Sequence, residues 1–319
     1  MKVGIDTAID DALLRLFEGL DIVRIPAEPA QDIAVDFWIP AVSGAVAAKQ
    51  WPRLTGVKVV HGLWAGVEWL RPMIPRGVTL CNGRGVFDTP VAEWVVGVIL
   101  AMQKYLPFYL SLQARGDWSG KRGAEELFMM TDGAQRDAEF PALADGLSGK
   151  TVLIVGYGSI GKAVEARLAP FGCAILRVAR TAKPGVEPVT ALDGLLPRAD
   201  IVVLLMPSTP DTRHLFDAAR LGRMRRGALL VNAGRGSAIE TDALVAALSA
   251  KRLRAALDVT DPEPLPPEHP LWTAPNVLIT PHVASDTPRA MERALGFVAL
   301  QAGRYARGEP LENVISGDY

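Results

Sequence analysis

A glycine-rich turn between a strand-like and a helix-like segment constrains the fold of this chain more than any other feature. The apolar run TVLIV (151–155) is followed at once by GYGSIG (156–161), and the next segment has the apolar spacing of a helix. In such a unit Gly156 permits the bend, Gly158 lets backbone N–H groups approach a pyrophosphate, and Gly161 allows close packing of helix on strand. The helix N-terminus adds positive potential. The motif therefore predicts a dinucleotide site formed by Gly156, Gly158, Ser159, Ile160 and Gly161.

Short apolar runs alternate with segments of helical period along the rest of the chain. This alternation predicts an α/β fold with two Rossmann- or flavodoxin-like domains, each a doubly wound parallel sheet. The pattern from Thr89 to about Ala114 predicts one long helix with Thr89 as its N-cap, kinked or split at Pro107. We expect a smaller substrate domain of residues 1–102 plus 288–319, with a dinucleotide-binding domain of residues 103–287 inserted into it.

Charge and composition exclude several classes of function. The 319 residues include 34 Lys+Arg and 35 Asp+Glu, so the net charge of −1 gives no reason to expect binding to nucleic acid or to a membrane surface. The longest stretch without charged side chains, 269–285, is shorter than a membrane span, and the N-terminus has acidic residues where a signal peptide would be apolar. Cys81 and Cys173 match no metal-ligand spacing. We expect a reduced, cytoplasmic protein without a metal site.

The segment that follows the glycine turn lacks the acid that usually binds the adenosine ribose. No Asp or Glu occurs between Glu165 and Glu187, whereas Arg177, Arg180 and Lys183 cluster around the end of the strand-like run AILRVA. A guanidinium and a hydroxyl can bind a 2′-phosphate that a carboxylate would repel. The run therefore favours NADP(H), with NAD(H) possible as a second cofactor, and its alternative interpretation is a solvated basic turn.

Three polar residues follow successive apolar runs in the second half of the chain. Arg235 follows GALLVNAG, Glu263 follows AALDVTDP, and His282 follows NVLITP. Ligands of open parallel sheets bind outside the carboxyl ends of the strands. Arg235 could fix a substrate carboxylate and His282 could donate a proton to a carbonyl oxygen, with Glu263 raising the pKa of the imidazole. Each residue taken singly has a structural or surface alternative, but together they predict a dehydrogenase site.

Longer motifs resemble the D-isomer-specific 2-hydroxyacid dehydrogenase family over most of the chain. They include LWAGVEWL (63–70), VNAGRG (231–236), LDVTDPEPLP (257–266) and PLWTAPNVLITPH (270–282). The resemblance implies that Arg235, Glu263 and His282 are the catalytic residues, and that Leu63, Trp64, Ala65, Gly66 and Trp272 contact the substrate. It also assigns to the cofactor Ala179, Arg180, Thr181, Met206, Pro207, Thr212, Asn232, Ala233, Asp258, His282 and Ala284, with Asp258 at the nicotinamide carboxamide.

The resemblance implies an oxidoreductase that reduces a small 2-oxo acid, of the glyoxylate or hydroxypyruvate type, to a D-2-hydroxy acid with NADPH. The run ARTAK (179–183) is similar to that of the NADPH-preferring reductases of this family, and Glu263 disfavours the formate dehydrogenase branch, which has Gln there. The family also implies a homodimer. Two alternatives stay open: a dinucleotide-sensing interaction protein similar to corepressors, and an NAD-dependent dehydrogenase of another small acid.

Two features depart from the family pattern. The stretch between Trp118 and Leu147 is longer than usual, and it covers the cleft, extends a subunit contact or is mobile. Arg84 stands in NGRG (82–85) where many members have a small or apolar residue. It either adds a second anion contact or lies on the surface.

Overall fold

The computed structural model describes residues 1–127 and 143–315, and it divides the chain into two compact units. One unit comprises Met1–Asp88 and Asp286–Tyr319, and the other comprises Thr89–Ser285. Residues 128–142, which belong to the long stretch noted above, lie outside the described residues.

The discontinuous unit contains a parallel sheet of short strands. In chain order the strands of this half are β1 (Lys2–Asp6), β2 (Asp21–Ile25), β3 (Ile33–Ala34), β4 (Phe37–Ile39), β5 (Leu54–Thr55), β6 (Val59–His61) and β7 (Thr79–Cys81). The sheet has the order β2-β1-β4-β6-β7, and β3 pairs separately with β5. The order reverses its direction at β1, as the doubly wound prediction requires.

The continuous unit contains a larger parallel sheet. Its strands are β8 (Thr151–Val155), β9 (Ala174–Ala179), β10 (Glu187–Pro188), β11 (Ile201–Leu204), β12 (Leu229–Asn232), β13 (Arg254–Leu257) and β14 (Val277–Ile279), in the spatial order β10-β9-β8-β11-β12-β13-β14. Leu153 and Val155 pack in the core on one face, and Val152 and Ile154 pack in the core on the other. The sheet is therefore buried on both faces, which explains why its strands are continuous apolar runs in the sequence.

Helices connect the strands of both sheets. The α-helices of the described residues are α1 (Gly44–Gln50), α2 (Asp88–Gln103), α3 (Leu106–Arg115), α4 (Ser159–Leu168), α5 (Leu192–Leu195), α6 (Ala218–Arg223), α7 (Thr241–Ser249) and α8 (Ala290–Ala306). Short 3₁₀ helices span Asp11–Phe17, Trp51–Arg53, Ser119–Gly123, Ala169–Phe171, Val189–Ala191, Leu196–Arg198, Gly236–Ala238 and Pro270–Thr273.

The long helix predicted from Thr89 is split, but its details differ from the prediction. α2 already begins at Asp88, so Thr89 lies inside the first turn and is not the N-cap. The break falls at Tyr105, which has a left-handed conformation (φ 53°), and Pro107 occupies the first turn of α3. Proline is tolerated in the first turn of a helix because the backbone N–H that it lacks would have no partner within the helix there.

The units divide before α2, whereas the sequence analysis placed the boundary after residue 102. The reason is packing, because Val95, Ile99 and Met102 of α2 belong to the same buried cluster as Ile154 of β8. The second boundary falls at residue 286 instead of 288. Among the described residues no single helix is long and apolar enough to cross a membrane, although α2 and α3 meet that test as a pair bent by 64°.

Candidate active site

The glycine turn lies where the strand order of the larger sheet reverses. β8 has β9 on one side and β11 on the other, so the turn after β8 opens at the switch point of the sheet. Gly156 has a φ of 94°, and a Cβ atom on it would lie 2.7 Å from the backbone carbon of Leu205. A Cβ on Gly161 would lie 3.3 Å from the carbonyl oxygen of Gly156. Gly156 requires glycine because of its positive φ and the close Leu205 backbone, whereas a Cβ on Gly161 would make a tight contact with the turn.

The same turn fits the diphosphate of a dinucleotide. Gly158 caps α4, is exposed, and has no atom within 4 Å of the position that a Cβ would occupy. The space beside the N-terminus of α4 is therefore open, and a side chain at 158 would fill it. First-turn N–H groups and the helix dipole suit an anion at such a position. These residues would hold the pyrophosphate.

Arg180 and Thr181 lie exposed just beyond the end of β9, as the sequence predicted. Arg177, by contrast, does not lie exposed at the end of the strand. Its guanidinium forms an ion pair with Glu165 of α4 and lies 5.7 Å from the ring centre of Tyr157, whose hydroxyl also bonds to Glu165. Arg177 is inside the strand and its charge is engaged, so the basic run contributes fewer available cations than its sequence indicated.

Further predicted cofactor residues surround the adjacent strand ends. Met206 and Pro207 follow β11, and the hydroxyl of Thr212 donates a hydrogen bond to the Pro207 carbonyl at 2.7 Å. The buried Asn232 side chain accepts from the Gly234 N–H at 3.1 Å and donates to the Arg235 carbonyl at 3.0 Å. These bonds fix the turn 233–235 that carries Ala233 and Arg235.

The three predicted catalytic residues follow three adjacent parallel strands. Arg235 follows β12, Glu263 follows β13, and His282 follows β14. Nδ1 of His282 lies 2.5 Å from Oε1 of Glu263. This hydrogen bond raises the pKa of His282, with burial opposing the shift, and it lowers the pKa of Glu263. The positive charge of Arg235 lowers both pKa values, so its guanidinium lies within electrostatic range of the pair.

Asp258 holds the loop that carries His282. Its carboxylate accepts hydrogen bonds from the Thr280 hydroxyl at 2.6 Å and from the N–H groups of Val283 and Ala284, each at 2.9 Å. Its backbone carbonyl accepts from the His282 N–H at 2.8 Å. His282 itself has a φ of 55°, a left-handed conformation that is uncommon for residues other than glycine. The loop is therefore held in one geometry by a buried carboxylate.

The predicted substrate residues in the smaller sheet form the loop after β6. Nδ2 of Asn82 donates to the Ala65 carbonyl at 2.6 Å, and the Gly83 N–H donates to the Trp64 carbonyl at 2.9 Å. A Cβ on Gly83 would collide with the carbonyl of Leu63. This close backbone contact fixes the loop that ends at Gly66.

Two other residues singled out in the sequence have surface positions. Trp272 lies in the 3₁₀ helix Pro270–Thr273, where its indole N–H donates to the Pro266 carbonyl at 2.8 Å and 47% of the residue is exposed. The exposed Arg84 donates from Nε to the Asn313 side chain at 3.2 Å. Among the described residues there is no cluster of three or more His, Cys, Asp or Glu that could hold a metal ion.

The other histidines have positions unlike that of His282. His61 is buried, and burial lowers its pKa to about 4. His269 caps the helix Pro270–Thr273, with its ring nitrogen accepting from the Leu271 N–H. His214 is exposed. Of the histidines, only His282 is paired with a carboxylate in the described part of the chain.

A glycine turn at a switch point, with a carboxylate-paired histidine and an arginine at the same sheet edge, defines a dinucleotide-dependent oxidoreductase. The family described as "D-isomer specific 2-hydroxyacid dehydrogenase, NAD binding domain" matches residues 96–284. The chain belongs to this family, and it is an enzyme that uses a nicotinamide dinucleotide.

Individual relatives cover most of the chain. Glyoxylate/hydroxypyruvate reductase B of Citrobacter koseri is 36% identical, over 87% of this chain and 86% of that protein. D-3-phosphoglycerate dehydrogenase of Methanocaldococcus jannaschii is 34% identical over 82% of this chain, which spans 48% of that longer protein. The crystal structure of an NADPH-dependent glyoxylate/hydroxypyruvate reductase from Sinorhizobium meliloti, in complex with NADP and sulfate, has a TM-score of 0.81 and 27% identity, covering 99% of this chain and 98% of that one. The sensing alternative is not favoured by these relatives.

Sequence reasoning missed two groups that shape the site. The Tyr157–Glu165–Arg177 cluster fixes the side of the glycine turn, and the bonds of Asp258 fix the histidine loop. The Glu165–Arg177 pair could have been predicted from the sequence, because Glu165 lies on α4 and Arg177 lies on the next strand. The two elements pack together in a βαβ unit. The bonds of Asp258 could not have been predicted, since its partners are chiefly backbone N–H groups.

Proposed function

We propose that the protein reduces a small 2-oxo acid of the glyoxylate or hydroxypyruvate type to the D-2-hydroxy acid, with NADPH as the preferred cofactor. The observation that carries this proposal is the bond between His282 and Glu263 beside the charge of Arg235. A carbonyl reduction requires a proton donor and a group that fixes the substrate carboxylate, and these three residues supply both.

His282 is the proton donor in this mechanism. In the imidazolium form Nδ1–H donates to the Glu263 carboxylate, which leaves Nε2–H for the carbonyl oxygen of the substrate. Because Glu263 raises the pKa of His282, the protonated form persists to higher pH than in a free imidazole. The histidine side chain is 48% exposed, so solvent can return the proton after each turnover.

Arg235 orients the substrate. Its planar guanidinium suits a carboxylate because two parallel N–H donors match two oxygens. Following the family resemblance, we also assign the backbone amides of Leu63, Trp64, Ala65 and Gly66 to substrate binding. The nicotinamide, when bound, supplies the hydride. Removing the charge of Arg235 would weaken substrate binding and also change the pKa of the histidine.

The test of the proton donor replaces His282 without disturbing its backbone. Asn tolerates left-handed φ values, so His282→Asn keeps the loop, and His214→Asn is the matched control because His214 has a φ of 49° and is exposed. We expect turnover to fall by about 10²- to 10⁴-fold in His282→Asn only, with NADPH binding retained. Turnover of His282→Asn within a few-fold of the wild type would contradict the assignment.

Cofactor preference rests on Arg180 and Thr181. Within the described residues no hydrogen bond or ion pair engages the Arg180 guanidinium, so it is available to a 2′-phosphate. Arg180→Gln should weaken NADPH binding by at least about tenfold relative to NADH, because a phosphate contact from a charged donor is lost. Arg198→Gln, another exposed arginine of the same unit, is the control. Equal losses for both cofactors in Arg180→Gln would refute the preference.

Three expectations from the sequence stay predictions. These are the homodimer, the cytoplasmic location, and the division of labour between a substrate domain and a cofactor domain. Light scattering of the purified protein decides the first, and a monomeric mass would contradict it.

A further inference from the structure

A charged cluster lies beside the glycine turn, apart from the three catalytic residues. Glu165 of α4 and Arg177 of β9 form a bidentate ion pair, in which Nε of Arg177 donates to Oε2 at 2.7 Å and Nη2 donates to Oε1. The Tyr157 hydroxyl donates to Oε2 of Glu165 at 2.5 Å, and the Arg177 guanidinium lies over the Tyr157 ring, 5.7 Å from its centre. We call these three residues the Tyr157 cluster.

Glu165 is the only acidic residue in the segment that we assign to the phosphates of the cofactor. Residues 156–186 comprise the glycine turn, α4, β9 and the basic run, and they contain one Glu, no Asp and five Lys or Arg. The hydrogen bond from Arg177 lowers the pKa of Glu165, so the carboxylate is ionised at neutral pH. Whether this segment presents a negative charge to a bound anion therefore depends on Arg177.

The ion pair lies within electrostatic range of both phosphate positions. Glu165 follows Gly161 by four residues, so the two lie about 6 Å apart along α4. Arg177 precedes Arg180 by three residues, which is about 10 Å along an extended chain. Salt screens exposed charges over about 8–10 Å, and it screens partly buried charges such as these two less. A net charge on the pair would therefore act on a phosphate at Arg180.

Backbone hydrogen bonds hold the turn independently of these charges. The N–H groups of Gly156 and Tyr157 both donate to the Val178 carbonyl of β9, each at 2.9 Å. The apolar face of α4 is buried in the core of the same unit. A change of charge at Glu165 or Arg177 should therefore leave the turn in place, so that its effect on cofactor binding is electrostatic.

We propose that Arg177 is a specificity-determining residue, which neutralises Glu165 and so allows the 2′-phosphate of NADPH to bind nearby. The inference rests on the proposed function, since it concerns the same cofactor. Without Arg177, the carboxylate of Glu165 would repel the phosphate that NADPH has and NADH lacks. Without Glu165, the guanidinium of Arg177 would attract it. The two residues therefore have opposite effects on cofactor choice, which a purely structural ion pair would not have.

The experiment measures the Kd of NADPH and of NADH by calorimetry, without any turnover. Arg177→Gln should lower the preference for NADPH over NADH by about three- to tenfold, and Glu165→Gln should raise it by about the same factor. The double variant should return to within about twofold of the wild type, because it is again neutral. Arg177→Lys keeps the charge but not the bidentate geometry, so it should also keep the preference of the wild type.

The matched control is Arg225→Gln. Arg225 pairs with Asp200 where β11 and β12 begin, at the opposite edge of the sheet from the turn, so this variant should keep the preference of the wild type. Raising KCl from about 0.05 M to about 0.5 M should reduce the shifts of the two cluster variants, because salt screens charges. Urea unfolding of each variant verifies that it is folded. Shifts of Arg177→Gln and Glu165→Gln in the same direction, or no shift in either, would overturn the proposal.

Comparison with the wild type separates failure of this role from failure of the proposed function. If the wild type binds NADH more tightly, but Arg177→Gln and Glu165→Gln still shift the preference in opposite directions, the proposed NADPH preference fails and the role of Arg177 stands. If the wild type binds NADPH more tightly and the two variants do not shift in opposite directions, the role of Arg177 fails alone.

Discussion

Substituting Gly234 by alanine tests whether the turn that carries Arg235 must approach the cofactor segment closely. A Cβ on Gly234 would lie 2.7 Å from the carbonyl oxygen and 2.9 Å from the nitrogen of Met206, and both are backbone atoms that cannot rotate away. Ordinary contacts of this kind begin at 3.4 Å, so one of the two segments must move by about 0.7 Å.

The expected loss of activity follows from this displacement. Productive site geometry is held to about 0.5 Å, and a misplacement of about 1 Å can cost 10²-fold in rate. A shift of about 0.7 Å at Arg235 or at Met206–Pro207 should therefore lower kcat/KM by about 10- to 100-fold. The overpacking should also lower the free energy of unfolding by about 1–3 kcal/mol.

The assay follows NADPH absorbance with a 2-oxo acid, together with urea unfolding of each variant. Gly222→Ala is the matched control, because Gly222 lies exposed in α6 and a Cβ there would meet no atom within 4 Å. Alanine in a helix is favoured over glycine, so this control should keep its activity and gain up to about 1 kcal/mol of stability. A folded Gly234→Ala protein with kcat/KM within twofold of the wild type would refute the reasoning.

Three more predictions concern pH and stability. Because Glu263 raises the pKa of His282, reduction should be fast below that pKa and should slow as pH rises through it. In Glu263→Gln the decrease in kcat/KM should occur at lower pH. A pH profile of kcat/KM that does not move would argue against the pair. The buried Arg254 donates to two carbonyl groups and to Gln103, so Arg254→Met should lower the free energy of unfolding by about 2–4 kcal/mol, and urea denaturation showing no loss would contradict this. Asp217 caps α6, and Asp217→Ala should cost about 1 kcal/mol in the same assay.

Much of the fold followed from local patterns. The strands of the larger sheet could be predicted because burial on both faces demands continuous apolar runs, as in TVLIV and IVVL. The glycine turn could be predicted because the local backbone conformation requires glycine, as the φ of 94° at Gly156 shows. Because β12, β13 and β14 are parallel neighbours, their carboxyl ends lie at one edge of the sheet.

The start of α2 and the first boundary between the units could not be predicted from local sequence patterns. The helix predicted from Thr89 to about Ala114 has the same helical period on either side of residue 102, so the pattern alone does not say which core each part enters. Packing decided this, because Val95 and Ile99 lie against β8. The break falls at Tyr105 and not at Pro107 because proline is tolerated in the first turn of a helix, so α3 can begin just before it.

The sequence by itself determined which residue types stand at the strand ends, and with them the class of chemistry. Arg235, Glu263 and His282 were identified because each follows an apolar strand, a property of neighbouring residues alone. Only the tertiary structure decided how those charges are used. Arg177 is paired with Glu165, and the loop that carries His282 is held by Asp258. Such partners are set by distances between segments far apart in the chain, and those distances depend on how the whole fold packs.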